Sequence, residues 1–252
     1  MANTIFGVIP ARHASVRFPG KPLAMIEGEP MVVRVYRRAL SSGIFSGLVV
    51  ATEDERIMAV CGEAGVPAVM TRADHPSGTD RVHEAVGLDP VGRGAEIIVN
   101  VQGDEPLIDP DALIRLVRPL ETVPQNAVAA SSVCARLLDE EEYRNPNVVK
   151  VVLDSAGQAL YFSRAPVPFS RDGGLPERVW RHIGLYAYTR SAIERFVQLP
   201  ESFLERTERL EQLRLLENGV PFYMEEVASA PPAVDTPEDL ARVIELIHRG
   251  GV

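Results

Sequence analysis

Cysteine is scarce in this chain: there are two, Cys61 and Cys134, and they share no C-x-x-C spacing. A disulfide framework or thiolate metal site is therefore not expected, and both read as reduced core residues. Long apolar runs are missing too, none approaching the roughly 18 residues needed to cross a bilayer. The opening Met-Ala-Asn-Thr-Ile-Phe-Gly has no basic stretch ahead of a hydrophobic segment. The expectation is a cytoplasmic protein with no stable membrane insertion. Positive charge is in deficit, 26 Lys and Arg against 35 Asp and Glu for a formal net charge of -9. That argues against nucleic acid or an anionic membrane as a partner, though a local basic cluster stays open. His13, His75, His83, His182 and His248 show no H-E-x-x-H spacing, which argues against zinc. Neither a Walker A motif nor G-x-G-x-x-G follows the first strand, and no internal repeat or low-complexity tract is found.

What is present is an ordinary globular composition, 46% hydrophobic and 24% charged over 252 residues, long enough for a sizeable core. Thr4 to Pro10 is a strand, followed by a loop without hydrophobic period and a helix over Met31 to Leu40. Leu48 to Thr52 is a second strand, Asp54 begins a helix to about Glu63, and Val66 to Met70 is a third strand. Thr71 to Asp80 forms a polar loop into a helix around Arg81 to Val86. The Ile97 to Pro106 stretch follows, then a helix capped by Asp109 and Pro110 with Leu113, Leu116, Val117 and Leu120 on one face. This alternation predicts an α/β fold with a mainly parallel sheet.

From Ala127 the pattern changes. Ala127 to Val133, Val148 to Leu153, Ala159 to Phe162 and Gly184 to Tyr188 read as strands of an antiparallel or mixed extension, covering about 127–190 of a single domain spanning 1–252. Pro166 to Trp180, with three prolines and a Gly-Gly pair, is a long loop and a candidate to move over the site. Helices are expected over Arg190 to Val197 and Glu205 to Glu217, a strand over Phe222 to Val227, and a last helix opened by Thr236, Pro237 and Asp239.

Three features carry chemistry. The first loop concentrates Arg12, Arg17 and Lys21 beside Gly20, an arrangement that suits a polyphosphate and equally a solvated basic loop. The apolar run Ile97 to Val101 ends in Asp104 and Glu105, at the edge of the sheet where an open α/β fold binds ligands. Asp104, with Asp235 at a second strand-to-helix junction, can hold Mg²⁺ through oxygen ligands, while each alone also reads as a turn or capping acid. His182, just before the Gly184 strand and beside Arg178 and Arg181, reads as a strand-entrance or core residue, and Glu211 and Gln212 as the wet face of a helix.

Taken in order, several blocks closely resemble the CMP-Kdo synthetases, the cytidylyltransferases of 3-deoxy-manno-octulosonate (Kdo). They are Ile9 to Leu23, Thr71 to Thr79, Asn100 to Pro106, Asn145 to Lys150, Ala159 to Ala165, Arg181 to Tyr186, Leu210 to Arg214 and Val234 to Leu240. The resemblance implies a Rossmann-like nucleotidyltransferase fold and a homodimer with contacts in the strand-rich middle. It implies the reaction of CTP with Kdo to give CMP-Kdo and pyrophosphate for lipopolysaccharide biosynthesis, with Mg²⁺. By the same resemblance Arg12, Arg17 and Lys21 hold the triphosphate, and Arg72, Ser77, Gly78 and Gln102 the nucleotide. Asp104 and Asp235 hold the metal, and Arg12, Lys21 and the two acids carry catalysis. Arg164, His182, Tyr186, Glu211 and Gln212 line the sugar-acid pocket. A related sugar acid such as 8-amino-Kdo or a nonulosonic acid is the alternative substrate, and a non-catalytic nucleotide-binding module the alternative class.

Overall fold

The computed structural model describes residues 3–14, 17–124 and 126–250. Ser15 and Val16 of the first loop lie outside the described residues. In chain order the elements begin with β1 (Ile5–Ala11), a 3-10 turn (Lys21–Leu23), β2 (Met25–Ile26), β3 (Glu29–Pro30), α1 (Met31–Leu40), β4 (Gly47–Thr52) and α2 (Glu55–Glu63). They continue with β5 (Ala68–Met70), α3 (Gly78–Leu88), α4 (Pro90–Gly94), β6 (Ile97–Asn100), α5 (Pro110–Glu121), β7 (Ala130–Arg136) and α6 (Glu140–Arg144). The remainder is β8 (Lys150–Leu153), β9 (Ala159–Ser163), β10 (Trp180–Thr189), α7 (Arg190–Gln198), α8 (Phe203–Glu208), α9 (Gln212–Glu217), β11 (Phe222–Val227) and α10 (Pro237–His248). Contacts divide the chain into two units, one of residues 1–114 with 231–252 and one of residues 115–230.

In the first unit β1 pairs in parallel with β4 on one side and β6 on the other, and β5 extends the ladder beside β4. β1, β4 and β6 are β-branched and apolar on both faces because both are covered; Phe6, Val8, Ile9, Val50, Ile98 and Val99 are fully buried. α1 buries Val32, Val35, Tyr36 and Ala39, and α3 buries Val82, Ala85 and Val86. Since the four strands are parallel, their carboxyl ends lie on one edge. The chain leaves that edge at Arg12, Glu53, Thr71 and Val101, so the topology brings four distant loops together.

In the second unit β7 is flanked by β10, antiparallel, and β11, parallel. β8 pairs antiparallel with the start of β10 and with β9. The pairing is mixed, and two expected elements are revised. The expected strand from Gly184 starts at Trp180, because Trp180 and Arg181 pair with β8 while Trp180 to Ile183 pair with β7. His182 is thus inside a strand and buried, not at its entrance. The expected single helix Glu205 to Glu217 is two, because Arg209 adopts φ 55° in the left-handed region and ends α8. Ser202 and Glu205 close a capping box at the start of α8. Buried Arg214 of α9 then grips Glu205 with two guanidinium nitrogens at 2.6 and 2.7 Å and lies 4.0 Å over the Phe196 ring. Cys61 and Cys134 are both free and buried, and burial pushes their thiols up to about 11 and about 12.

Candidate active site

Two groups of the expected site residues form, one in each unit. In the first unit, the loop after β6 holds Asp104, and the segment ahead of α10 holds Asp235. These are 131 positions apart in the chain by residue number, yet the Val234 amide donates to the Asp104 carbonyl at 2.8 Å and stitches the segments together. α10 begins with a capping box in which Thr236 and Asp239 satisfy each other's amides, and Asp239 also accepts from the Asp235 amide at 3.0 Å. Gly103 is required for the approach. A Cβ there would sit 2.8 Å from the Pro10 carbonyl oxygen, so any side chain would drive the Asp104 loop off the end of β1.

Lys21 closes this cluster. Gly20, at φ 73°, turns the chain into the 3-10 helix, and the Lys21 ammonium reaches Asp104 Oδ2 at 2.9 Å, the Val234 carbonyl at 2.9 Å and Asp235 Oδ1 at 3.3 Å. Exposed Arg17 adds a contact to Asp235 Oδ1 at 3.1 Å. Three oxygens thus surround one cation. That donor set is what Mg²⁺ takes, one or two carboxylates with the rest of its shell filled by substrate phosphates and water. Among the described residues no three His, Cys, Asp or Glu side chains are grouped to hold a metal by themselves.

Beside the cluster lies a cavity of about 280 Å³, lined by the end of β1, Arg12, Lys21, Gly78, Gln102, Gly103 and Asp104 among others. The expected loop Thr71 to Asp80 ends earlier than its sequence suggests: Ser77 caps α3, its hydroxyl accepting from the Asp80 amide at 3.2 Å, so Gly78 is the first helical residue. Cavity-facing Gly78 therefore belongs to a helix N-terminus, the positive end of the helix dipole, which favours an anion. Arg12 donates to the His75 carbonyl at 2.9 Å, and Gln102 donates to Asn100 at 3.4 Å. Exposed Arg72 is not one of the lining residues and lies 3.7 Å from Asp74 and 3.9 Å from Glu84.

Residues that spacing did not single out support this wall. His75 pairs with Glu84, which also accepts from the Arg72 amide. Burial works to raise the Glu84 carboxyl, and the bonds from His75 and Arg72 outweigh it, leaving it below the usual range. Arg81 is wholly buried against Glu53 at 2.8 Å and the Thr71 hydroxyl at 2.6 Å, and burial lowers its pKa. No local signal marks it, since a buried arginine looks like any helix-surface arginine in sequence.

In the second unit, His182, Tyr186 and Gln212 adjoin. The Tyr186 hydroxyl donates to Gln212 Oε1 at 3.2 Å, and the His182 and Tyr186 rings are 5.5 Å apart. Burial pushes His182 down to about 3, so it is neutral through the physiological range. Gln212 Nε2 is buried without a hydrogen-bond partner among the described residues, a donor that water or a ligand must satisfy. Glu211 precedes α9 and is partly buried. Arg164 is held from both sides: its Nε donates to the Glu208 carbonyl at 2.8 Å and Nη1 to the Pro146 carbonyl at 3.0 Å, while its amide donates to the Glu208 carboxylate at 2.9 Å. Glu208 also accepts from the Ser163 hydroxyl at 2.6 Å. Buried Lys150 anchors the other face, its ammonium donating to the carbonyls of Asn145, Val148 and Arg164. Glu208 and Lys150 were not among the expected site residues; Lys150 lies in a block of the resemblance, Glu208 outside all of them.

The Pro166 to Trp180 segment has no regular element before β10. Its base is pinned where the Tyr143 hydroxyl donates to the Pro168 carbonyl at 2.6 Å and where Leu175 and Val179 pack with Leu137 and Tyr143.

Comparison with known proteins gives the family. Residues 6–226 match the family described as Cytidylyltransferase. A 3-deoxy-manno-octulosonate cytidylyltransferase of Oleidesulfovibrio alaskensis is 47% identical over 247 residues, 98% of each chain. One of Leptothrix cholodnii is 52% identical over 248 residues, 94% of this chain and 89% of that protein. A solved CMP:2-keto-3-deoxy-manno-octonic acid synthetase complexed with CTP superposes with a TM-score of 0.90 at 40% identity, covering 98% of this chain and 99% of the other. A 4-diphosphocytidyl-2C-methyl-D-erythritol synthase from Anaerococcus prevotii shares the fold, with a TM-score of 0.64 at 12% identity, 98% of this chain and 99% of the other. This chain belongs to the 3-deoxy-manno-octulosonate cytidylyltransferase family.

Proposed function

We propose that this chain transfers the cytidylyl group of CTP to Kdo, releasing pyrophosphate, with Mg²⁺ held on Asp104 and Asp235. The observation that carries the reading is the convergence of Asp104, Asp235 and Lys21 beside the cavity lined by Arg12 and Gln102. Arg12, Arg17 and Lys21 neutralise the triphosphate and the pyrophosphate that leaves. Gln102 and the α3 N-terminus at Ser77 and Gly78 hold the nucleotide, with Arg72 at its margin. Arg164, His182, Tyr186, Glu211 and Gln212 bind the sugar acid, the guanidinium facing its carboxylate.

The anomeric hydroxyl of Kdo forms a bond to the α-phosphorus as the bond from that phosphorus to the α–β bridging oxygen breaks, and the hydroxyl proton passes to solvent. Mg²⁺ held by Asp104 and Asp235 would supply charge neutralisation at the reacting phosphate and a lowered hydroxyl pKa. The oxygen-only set that now surrounds the Lys21 ammonium supports that assignment.

A triphosphate donor puts the reaction in the cytoplasm, at the step that activates Kdo for lipopolysaccharide synthesis. Exposed Leu138, Leu160 and Phe169 in the second unit support homodimer contacts there.

The test is pyrophosphate release with CTP, UTP, ATP and GTP, each against Kdo, 8-amino-Kdo, sialic acid and no acceptor, with and without Mg²⁺. Release with CTP and Kdo that depends on both and on the metal is expected. Release with ATP alone, or without an acceptor, refutes the reading, and preference for another sugar acid replaces Kdo as substrate.

A further inference from the structure

Ser132 lies on β7, and nothing in the sequence marks it. Its Oγ is within hydrogen-bond distance of three groups at once: the Leu185 carbonyl at 2.7 Å, the Ile183 carbonyl at 3.2 Å and His182 Nε2 at 2.8 Å. A serine hydroxyl has one proton, and a carbonyl oxygen can only accept. The proton therefore goes to the carbonyls, and Oγ is left to accept from Nε2. The opposite arrangement, with the hydroxyl donating to Nε2, would set the Oγ lone pairs against two carbonyl oxygens in a buried site, where unmet acceptors are costly.

We propose that Ser132 is a positioning residue that fixes His182 as the Nε2–H tautomer, leaving Nδ1 to accept a hydrogen bond from a hydroxyl of the sugar-acid substrate. The inference rests on the reading that His182 lines the sugar-acid pocket.

The backbone is shaped for this contact. Ile183 pairs with Val133 and Tyr186 with Ser132, so Gly184 and Leu185 are extra residues in the β10 ladder. The bulge is what lets two carbonyls of β10 converge on one side chain of β7. The imidazole is also held by its neighbours, with the Phe162 ring edge-on at 4.8 Å and the Tyr186 ring at 5.5 Å. Among the described residues Ser132 is the only hydrogen-bond partner of the ring, which leaves Nδ1 without a protein partner there. Gln212 supplies the complement: its Oε1 is occupied by the Tyr186 hydroxyl, which leaves the buried Nε2 as a donor. One fixed acceptor and one fixed donor suit sugar hydroxyls, which both donate and accept. Discrimination on this basis is strong because a ligand lacking the hydroxyl leaves buried polar groups unpaired.

The test begins with the ligand-free full chain labelled with 15N-histidine, using long-range proton–nitrogen correlation spectra at neutral pH, with His182 assigned by its loss in His182→Gln. A protonated Nε2 and an unprotonated Nδ1 are expected, and the reverse pattern overturns the inference. Ser132→Ala is expected to yield a tautomer mixture and to raise KM for Kdo about tenfold, the scale of one lost hydrogen bond, with KM for CTP unchanged. Ser132→Thr, which keeps the hydroxyl on a side chain suited to a strand, is expected to restore both. An unaltered tautomer and KM in Ser132→Ala overturn the inference, and if that variant does not fold, the spectrum of the unaltered protein decides. A reversed tautomer in an enzyme that makes CMP-Kdo refutes the role of Ser132 alone. The expected tautomer in a protein that forms no CMP-Kdo refutes the sugar-acid reading and with it the role of Nδ1.

Discussion

Neutral, buried His182 should make this protein lose stability in mild acid, by an amount the structure allows to be worked out. Burial holds its pKa at about 3, against an ordinary value of 6.5. Below pH 6.5 the unfolded chain takes up a proton that the folded chain refuses, so stability falls as pH drops from about 6.5 toward about 3. With those two values the loss between pH 7 and pH 5 is about 2 kcal/mol, and about 3 kcal/mol by pH 4. Other groups titrate over the same range, so the quantity to measure is a difference between two proteins. His182→Gln places an amide near the Nε2 position and carries no titrating group, which makes it the reference. Urea unfolding of both proteins at pH 7, 6, 5 and 4 should show the unaltered protein losing about 2 kcal/mol more than the variant between pH 7 and 5. Parallel pH dependences, within about 0.5 kcal/mol across that window, would refute the argument that His182 is held neutral by burial.

Three other perturbations probe separate parts of the molecule. Asp104→Asn and Asp235→Asn should each abolish turnover with unchanged thermal melting, and near-normal turnover in either at saturating Mg²⁺ removes that residue from the ligand set. Lys150→Met leaves three carbonyls without their donor and should cost about 3 kcal/mol in urea unfolding; a cost under about 1 kcal/mol means that water replaces the ammonium. Arg214→Met strands the Glu205 carboxylate in the core and should cost about 3 to 5 kcal/mol, whereas a neutral result in the same assay means that the pair is not the fastening between α8 and α9.

The sequence made the first unit readable because its elements are punctuated chemically. Asp54, Asp109 and Thr236 each accept from an amide of a helix start where sequence placed a cap, and hydrophobic period located α1 to within its observed ends. Asp104 and Asp235 were legible as acids at strand-to-helix junctions, but only the fold shows that the Val234 amide joins their segments. What stayed hidden depends on tertiary contacts. Arg209 in a left-handed conformation, the bulge in β10, and buried Arg81, Lys150 and Ser132 all lack a local signal, since each gains its meaning from partners distant in sequence. The α4 turn and the short β2–β3 hairpin also escaped, being too brief to show a period.

The most direct test of the central claim is the identity of the products. Phosphorus NMR of the protein with CTP, Kdo and Mg²⁺ should show the CTP resonances replaced by pyrophosphate and a single phosphodiester resonance in equal amounts, with a product mass matching CMP-Kdo. Formation of CDP and inorganic phosphate, or pyrophosphate without a sugar phosphodiester, would contradict it.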